Sequence, residues 1–189
     1  MSITMQRSRD EIGFTISGAI LQRILDWKYI LDKKIFDEQL NTGSFHGRCP
    51  VDEEMQTVMQ LAKTKGHIMP YYGVGGSRGS CIYSLQWAVD SLIIEVKNET
   101  VEETIRIADH EVEVDSANMI SEESQIVFRI NGKELEVLRQ WKYWREDHAD
   151  TSRYIYRFGQ VAMGRLGYTI KIEDTETGNQ IDVTAYEDW

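Results

Sequence analysis

The chain has 189 residues, and its 31 acidic side chains outnumber its 21 Lys and Arg side chains to give a formal net charge of −10. The apolar fraction of 41% is ordinary for a globular protein and argues against wholesale disorder. The sequence contains no apolar run long enough to span a membrane, and its N-terminus lacks the apolar core of a secretory signal. We therefore expect a soluble cytoplasmic protein, and its acidity argues against duplex nucleic acid as a partner.

The N-terminal third predicts one short strand and two helices. Residues 12–16 alternate weakly as a strand, and Ser17 is a plausible cap for a helix whose apolar residues recur from Ile20 to Ile35. That helix is expected to stop near Asn41 and Gly43. Pro50 then suits the first turn of a second helix, which carries an apolar stripe from Met55 to Ala62 and ends at Gly66.

The remainder of the chain predicts strands. The segments with alternating or β-branched patterns are 81–87, 92–96, 104–107, 111–114, 125–130, 152–158, 168–172 and 180–186. Asn131-Gly132 is typical of a two-residue hairpin turn, so residues 133–144 are predicted to form the partner strand. Residues 177–179 are predicted to close the last hairpin.

These elements predict an α+β fold in a single domain of residues 1–189. Two N-terminal helices, in a helical part of about residues 1–66, are expected to pack on a mainly antiparallel sheet of about six or more strands. That sheet would be formed by the strand-rich part, about residues 67–189. The exposed sheet edges leave a homodimer open.

Charge is distributed unevenly along the chain. Residues 1–97 are neutral, residues 98–136 carry a net −8, residues 137–171 a net +4, and residues 172–189 a net −6. Opposite charges on facing strands of one sheet could simply pair with each other. Alternatively, a concentrated acidic surface would steer a basic partner. The residues predicted to bind such a partner are Glu102, Glu103, Glu111, Glu113, Asp115, Glu122 and Glu123.

A glycine-rich loop at residues 73–80 suggests a different class of function. Its successive backbone N–H groups could hold an anion, although it matches neither a P-loop nor a dinucleotide-binding motif, or it could be a plain surface turn. A basic and aromatic segment from Arg139 to Arg157 could add stacking and charge, although alternating aromatics also build sheet cores. The candidate ligand-binding residues are Gly75, Gly76, Ser77, Arg78, Trp141, Tyr143 and Arg157.

No motif assigns a catalytic residue, a cofactor or a metal site. Cys49 and Cys81 are expected to be reduced thiols, because a chain without a signal sequence and with two distant cysteines is not a disulfide scaffold. His46 and Cys49 lack a second ligand pair, and residues 146–150 lack the spacing of a calcium loop.

The preferred hypothesis is therefore a non-catalytic acidic protein that neutralises or inhibits a basic partner, as an immunity-type protein does. The alternative is a domain that binds a nucleotide or another phosphorylated small ligand, with a hydrolytic activity left open.

Overall fold

A computed structural model describes residues 3–41, 81–88, 91–99, 101–109, 125–160 and 168–186. The strands are β1 (Ile3–Arg7), β2 (Glu11–Ser17), β3 (Cys81–Ala88), β4 (Ser91–Asn98), β5 (Glu103–Ala108), β6 (Gln125–Asn131), β7 (Tyr154–Gln160), β8 (Tyr168–Asp174) and β9 (Gln180–Asp182). The helices of these ranges are α1 (Gly18–Asn41), α2 (Gly132–Gln140) and a single 3-10 turn at Glu146–His148.

The strands form two antiparallel sheets. The small sheet has the order β1-β2-β6, and the large sheet has the order β5-β4-β3-β7-β8-β9. Helix α1 packs against β2, β5 and β6. Because β5 and β6 are edge strands of different sheets, α1 contacts both sheets at one side of the molecule.

Aromatic side chains join the two sheets. Phe14 of the small sheet lies 4.9 Å from Tyr156 and 5.7 Å from Phe158 of the large sheet, between ring centroids. Phe128, also of the small sheet, lies 5.1 Å from Tyr83. All five rings are buried. Strand alternation places them on one face of each sheet, so burial of these faces against each other forms the main core.

The first predicted helix is confirmed as α1. Its buried residues Ile20, Leu21, Ile24 and Leu31 have the helical spacing on which the prediction rested. The helix predicted to begin at Pro50 lies outside the described residues, as does the predicted strand 111–114.

The predicted fold class is wrong. Two strands and a single helix occupy the described N-terminal part of the chain, and the second described helix, α2, comes after β6. The described helices therefore do not form an N-terminal layer on one sheet, and the core lies between two sheets. Local periodicity identified most strands, but it carries no information on how strands far apart in the chain divide between sheets.

The hairpin predicted at Asn131-Gly132 is also wrong, because residues 132–140 form α2. The backbone N–H of Asn131 donates to Oε2 of Glu134 at 3.4 Å, half of the reciprocal arrangement that caps a helix N-terminus. Leu135 and Leu138, three residues apart, are buried on one face of the helix. This apolar face and the cap favour a helix over the strand that Asn-Gly alone suggested.

In the part of the chain that the structure describes, no helix combines the length and the apolar character needed to cross a membrane.

Candidate functional site

Three of the seven predicted ligand-binding residues, Trp141, Tyr143 and Arg157, lie in the described ranges. The rings of Trp141 and Tyr143 meet edge to face with their centroids 5.5 Å apart, in the loop that follows α2. Arg157 instead lies on β7, where its Nη1 forms a 2.6 Å ion pair with Oε2 of Glu173 on β8. Within the described ranges, no hydrogen bond, ion pair or ring contact joins Arg157 to either aromatic residue. The other predicted members, Gly75, Gly76, Ser77 and Arg78, lie outside the described residues.

The alternating aromatics of β7 are core residues. Tyr154, Tyr156 and Phe158 are fully buried or nearly so. The hydroxyl of Tyr156 donates to the carbonyl of Ala149 at 2.5 Å, and the hydroxyl of Tyr154 donates to the carbonyl of Tyr143 at 2.8 Å. These bonds tie the loop after α2 to the large sheet, so the tyrosines hold the fold and do not offer their rings to a ligand.

Two of the seven predicted partner-binding residues lie in the described ranges. Glu102 is exposed at the turn between β4 and β5, where its φ of 56° is in the left-handed region. Glu103 begins β5, and its Oε1 accepts a 2.5 Å hydrogen bond from Nζ of Lys34 on α1. Glu111, Glu113, Asp115, Glu122 and Glu123 lie outside the described residues.

The acidic segment 172–189 is paired with the basic segment that precedes it. Arg153 forms a 3.0 Å ion pair with Asp174 and a 2.7 Å ion pair with Glu176, while Arg157 pairs with Glu173. Arg157 and Glu173 lie on the neighbouring antiparallel strands β7 and β8, while Arg153 directly precedes β7 and Glu176 follows β8. Cross-strand pairing, one of the two interpretations of the charge map, therefore accounts for these three acidic residues.

The Arg153–Asp174 pair is the most enclosed of these interactions. The carboxylate of Asp174 is fully buried, and it accepts hydrogen bonds from the hydroxyl of Thr177 at 2.9 Å and from the backbone N–H of Glu176 at 3.1 Å. Burial alone would raise the pKa of Asp174, but the bonds from Thr177 and Arg153 outweigh it and hold that pKa below its ordinary 3.8. The carboxylate is therefore ionised in the folded protein at neutral pH.

A cleft that the sequence analysis did not predict lies where the turn between β1 and β2 meets the end of α2. It has a volume of about 530 Å³, is open to solvent, and is lined by Arg7, Ser8, Arg9, Arg139 and Glu146. We call it the arginine cleft.

Backbone carbonyls and one carboxylate position two of its guanidinium groups. Nη2 of Arg139 donates to the carbonyl of Arg9 and to Oε1 of Glu146, both at 2.8 Å. Nη1 of Arg7 donates to the carbonyl of Glu146. The only sequence signal for this cleft is the Arg-Ser-Arg run at a turn, and nothing in the sequence brings residue 139 to it.

The acidic and histidine residues at 146–150 do not assemble a metal site. Nε2 of His148 lies 3.4 Å from Oδ2 of Asp147, and both side chains are exposed in the 3-10 turn. Within the described ranges, no group of three or more His, Cys, Asp or Glu residues is arranged to hold a metal ion.

Comparisons with protein-family models, with curated proteins and with solved structures gave no match to this chain.

Proposed function

We propose that the protein is a non-catalytic cytoplasmic binding protein whose acidic surface neutralises or inhibits a basic partner. The support for this proposal is the run of acidic residues at 110–124, together with the ion pairs that occupy acidic residues elsewhere in the described ranges. Three acidic residues of segment 172–189 are occupied by Arg153 and Arg157. We therefore assign the acidic surface that a partner would meet to the other acidic segment, residues 98–136, in which Glu103 is the acid that pairs with Lys34.

Part of that segment connects the two sheets along the chain. Residues 110–124 follow β5, at an edge of the large sheet, and precede β6, at an edge of the small sheet. They contain five acidic residues and no Lys or Arg. These five acids, Glu111, Glu113, Asp115, Glu122 and Glu123, are all predicted to bind a partner. The other two predicted residues are Glu102, which is exposed at the preceding turn, and Glu103, which pairs with Lys34.

Five acidic residues without a basic neighbour in sequence attract a cationic surface over a long range. Such charges mainly accelerate association with the partner and disfavour binding of other proteins. Each exposed charge at the edge of an interface contributes little to affinity. We therefore expect the partner to be a basic protein whose binding weakens as salt screens the attraction. A nucleic-acid-binding enzyme has the required cationic surface, and occupation of that surface would inhibit it.

The proposal is tested with a variant in which these five acids become amides: E111Q, E113Q, D115N, E122Q and E123Q. The matched control removes the same number of negative charges from exposed acidic residues outside residues 110–124. Its substitutions are D10N, E95Q, E136Q, D147N and D150N. Each protein is used as bait in extracts of the source cells, and retained proteins are identified by mass spectrometry. Association rates of the purified partner are then measured at several salt concentrations.

We expect wild type and the control to retain the same basic protein and the five-amide variant to lose it. The association rate should fall about tenfold or more in the five-amide variant at low salt, and high salt should remove the difference. Retention of no basic protein, or equal association by the variant and the control, would refute the proposal. Circular dichroism confirms that each bait is folded.

A further inference from the structure

We propose that the arginine cleft binds the phosphate group of a small phosphate monoester. This site is positively charged, whereas the proposed partner surface is acidic, and the proposal does not depend on that surface. It also differs from the ligand site predicted at residues 73–80, because it uses none of those residues.

The net charge of the cleft matches that of the ligand. Three arginines and one glutamate give the lining a formal charge of +2, and a phosphate monoester carries about −1.5 to −2 at neutral pH. The carboxyl end of α2 opposes an anion with an effective charge of about −0.5, which is well below the excess of positive charge. The cleft is therefore positively charged although the whole chain has a net charge of −10.

Two of the three guanidinium groups, those of Arg139 and Arg7, are held in place before a ligand arrives. Arg139 uses one nitrogen, Nη2, for its bonds to the Arg9 carbonyl and to Glu146, and Arg7 uses Nη1 for its bond to the Glu146 carbonyl. Each guanidinium has five N–H donors, so donors are left over for a ligand. Pairs of parallel N–H donors fit the oxygens of a phosphate.

Arg9 differs from Arg7 and Arg139, because its side chain is not bonded to the rest of the cleft. Its carbonyl anchors Arg139, whereas its guanidinium is exposed and makes no hydrogen bond or ion pair with another residue of the described ranges. Glu146 supplies the one carboxylate in the lining, and it occupies Arg139 in the structure. A phosphate group would compete with this carboxylate for the same nitrogen, so Glu146 acts as an internal competitor.

The cleft has room for more than a phosphate group. About 530 Å³ lies within the range of roughly 300–1,000 Å³ for small-molecule sites and is much larger than a phosphate group. The space leaves room for a sugar or similar group beside the phosphate. A long polyanion is disfavoured, because the rest of the chain would repel it.

Isothermal titration calorimetry of the full chain with ribose 5-phosphate tests the proposal, with inorganic phosphate and acetate at the same ionic strength for comparison. The main variant is Arg9→Ala, whose side chain holds no other part of the fold. Arg23→Ala, an exposed arginine of α1 outside the cleft, is the matched control. Glu146→Gln removes the competing charge but keeps the carbonyl that Arg7 contacts.

We expect ribose 5-phosphate to bind more tightly than inorganic phosphate and acetate not to bind. Arg9→Ala should weaken binding of ribose 5-phosphate about tenfold, which is the effect of losing one charge-assisted contact. Arg23→Ala should leave it unchanged, and Glu146→Gln should strengthen it. Absence of saturable binding at millimolar ligand, equal effects of the two arginine variants, weaker binding by Glu146→Gln, or equal binding of acetate would overturn the proposal. Equal affinity for inorganic phosphate would overturn the assignment of an ester.

Discussion

The ring of Phe128 on β6 stacks on the ring of Phe158 on β7, with centroids 4.5 Å apart and planes inclined by 12°. The two strands belong to different sheets, so this contact is one of those that hold the sheets together. Phe128 also touches Tyr83 and Tyr168, each at 5.1 Å between centroids. It therefore contacts aromatic residues of three strands of the large sheet.

Replacement of Phe128 by alanine is expected to lower the free energy of unfolding by about 3–5 kcal/mol. The change removes buried apolar area and leaves a cavity between the two sheets. Val137→Ala on α2 is the control, because this side chain is 42% exposed. It should change the free energy of unfolding by less than about 0.5 kcal/mol. Urea unfolding monitored by fluorescence measures both values. A Phe128→Ala effect no larger than that of Val137→Ala would contradict the described packing.

Replacement of Asp174 by asparagine is expected to cost about 3 kcal/mol at neutral pH, because it removes the buried partner of Arg153. Glu176 also pairs with Arg153, but its side chain is 60% exposed. Glu176→Gln is therefore the control, with an expected cost below about 1 kcal/mol. Urea unfolding of the two variants compares them directly, and equal costs would show that burial of Asp174 does not matter.

The pH dependence of the same variant follows from the lowered pKa of Asp174. A carboxylate whose pKa is lower in the folded state than in the unfolded state adds stability above the unfolded value, near 3.8. That stability is lost as the pH falls through the pKa of the carboxylate in the folded state. The difference in unfolding free energy between wild type and Asp174→Asn should therefore be constant near neutral pH and shrink below about pH 4. A difference that persists unchanged in acid would contradict ionisation of this residue.

Replacement of Glu134 by alanine is expected to destabilise the protein by about 1 kcal/mol through loss of the cap of α2. Glu136, two residues further on, is exposed, so Glu136→Ala removes the same charge without removing the cap. Thermal melting monitored by circular dichroism at matched pH compares the two variants. If residues 132–140 formed a strand, neither glutamate would have this positional effect, and the two variants would melt alike.

Much of the secondary structure could be predicted from the sequence, because alternation and helical spacing are local. The strand at Cys81–Ala88 and the helix at Gly18–Asn41 both follow from such patterns. At Asn131 two local signals conflict. Asn-Gly is typical of a hairpin, while Asn131 followed three residues later by Glu134 is typical of a helix start. The burial of Leu135 and Leu138 shows that the helical signal prevails.

The division into two sheets could not be predicted in the same way. Strand β2 pairs with β6, and Phe14 lies opposite Phe128 although 114 positions separate them in the sequence. The arginine cleft has the same origin, since its formation requires residues 7, 9 and 139 to meet. The aromatic alternation of β7 was visible, but alternation alone does not distinguish a core face from a ligand platform.

The pairing of β2 with β6 also sets the order of events during synthesis. A ribosome must produce the chain as far as residue 131 before the small sheet can gain its third strand. Until then the hairpin of β1 and β2 has only α1 and strands made before β6 to pack against. Phe14 on that hairpin would meanwhile lack the rings of Tyr156 and Phe158, which it contacts in the folded protein. The nascent chain therefore exposes apolar surface through most of its translation, and it is at this stage that we expect it to depend most on chaperones.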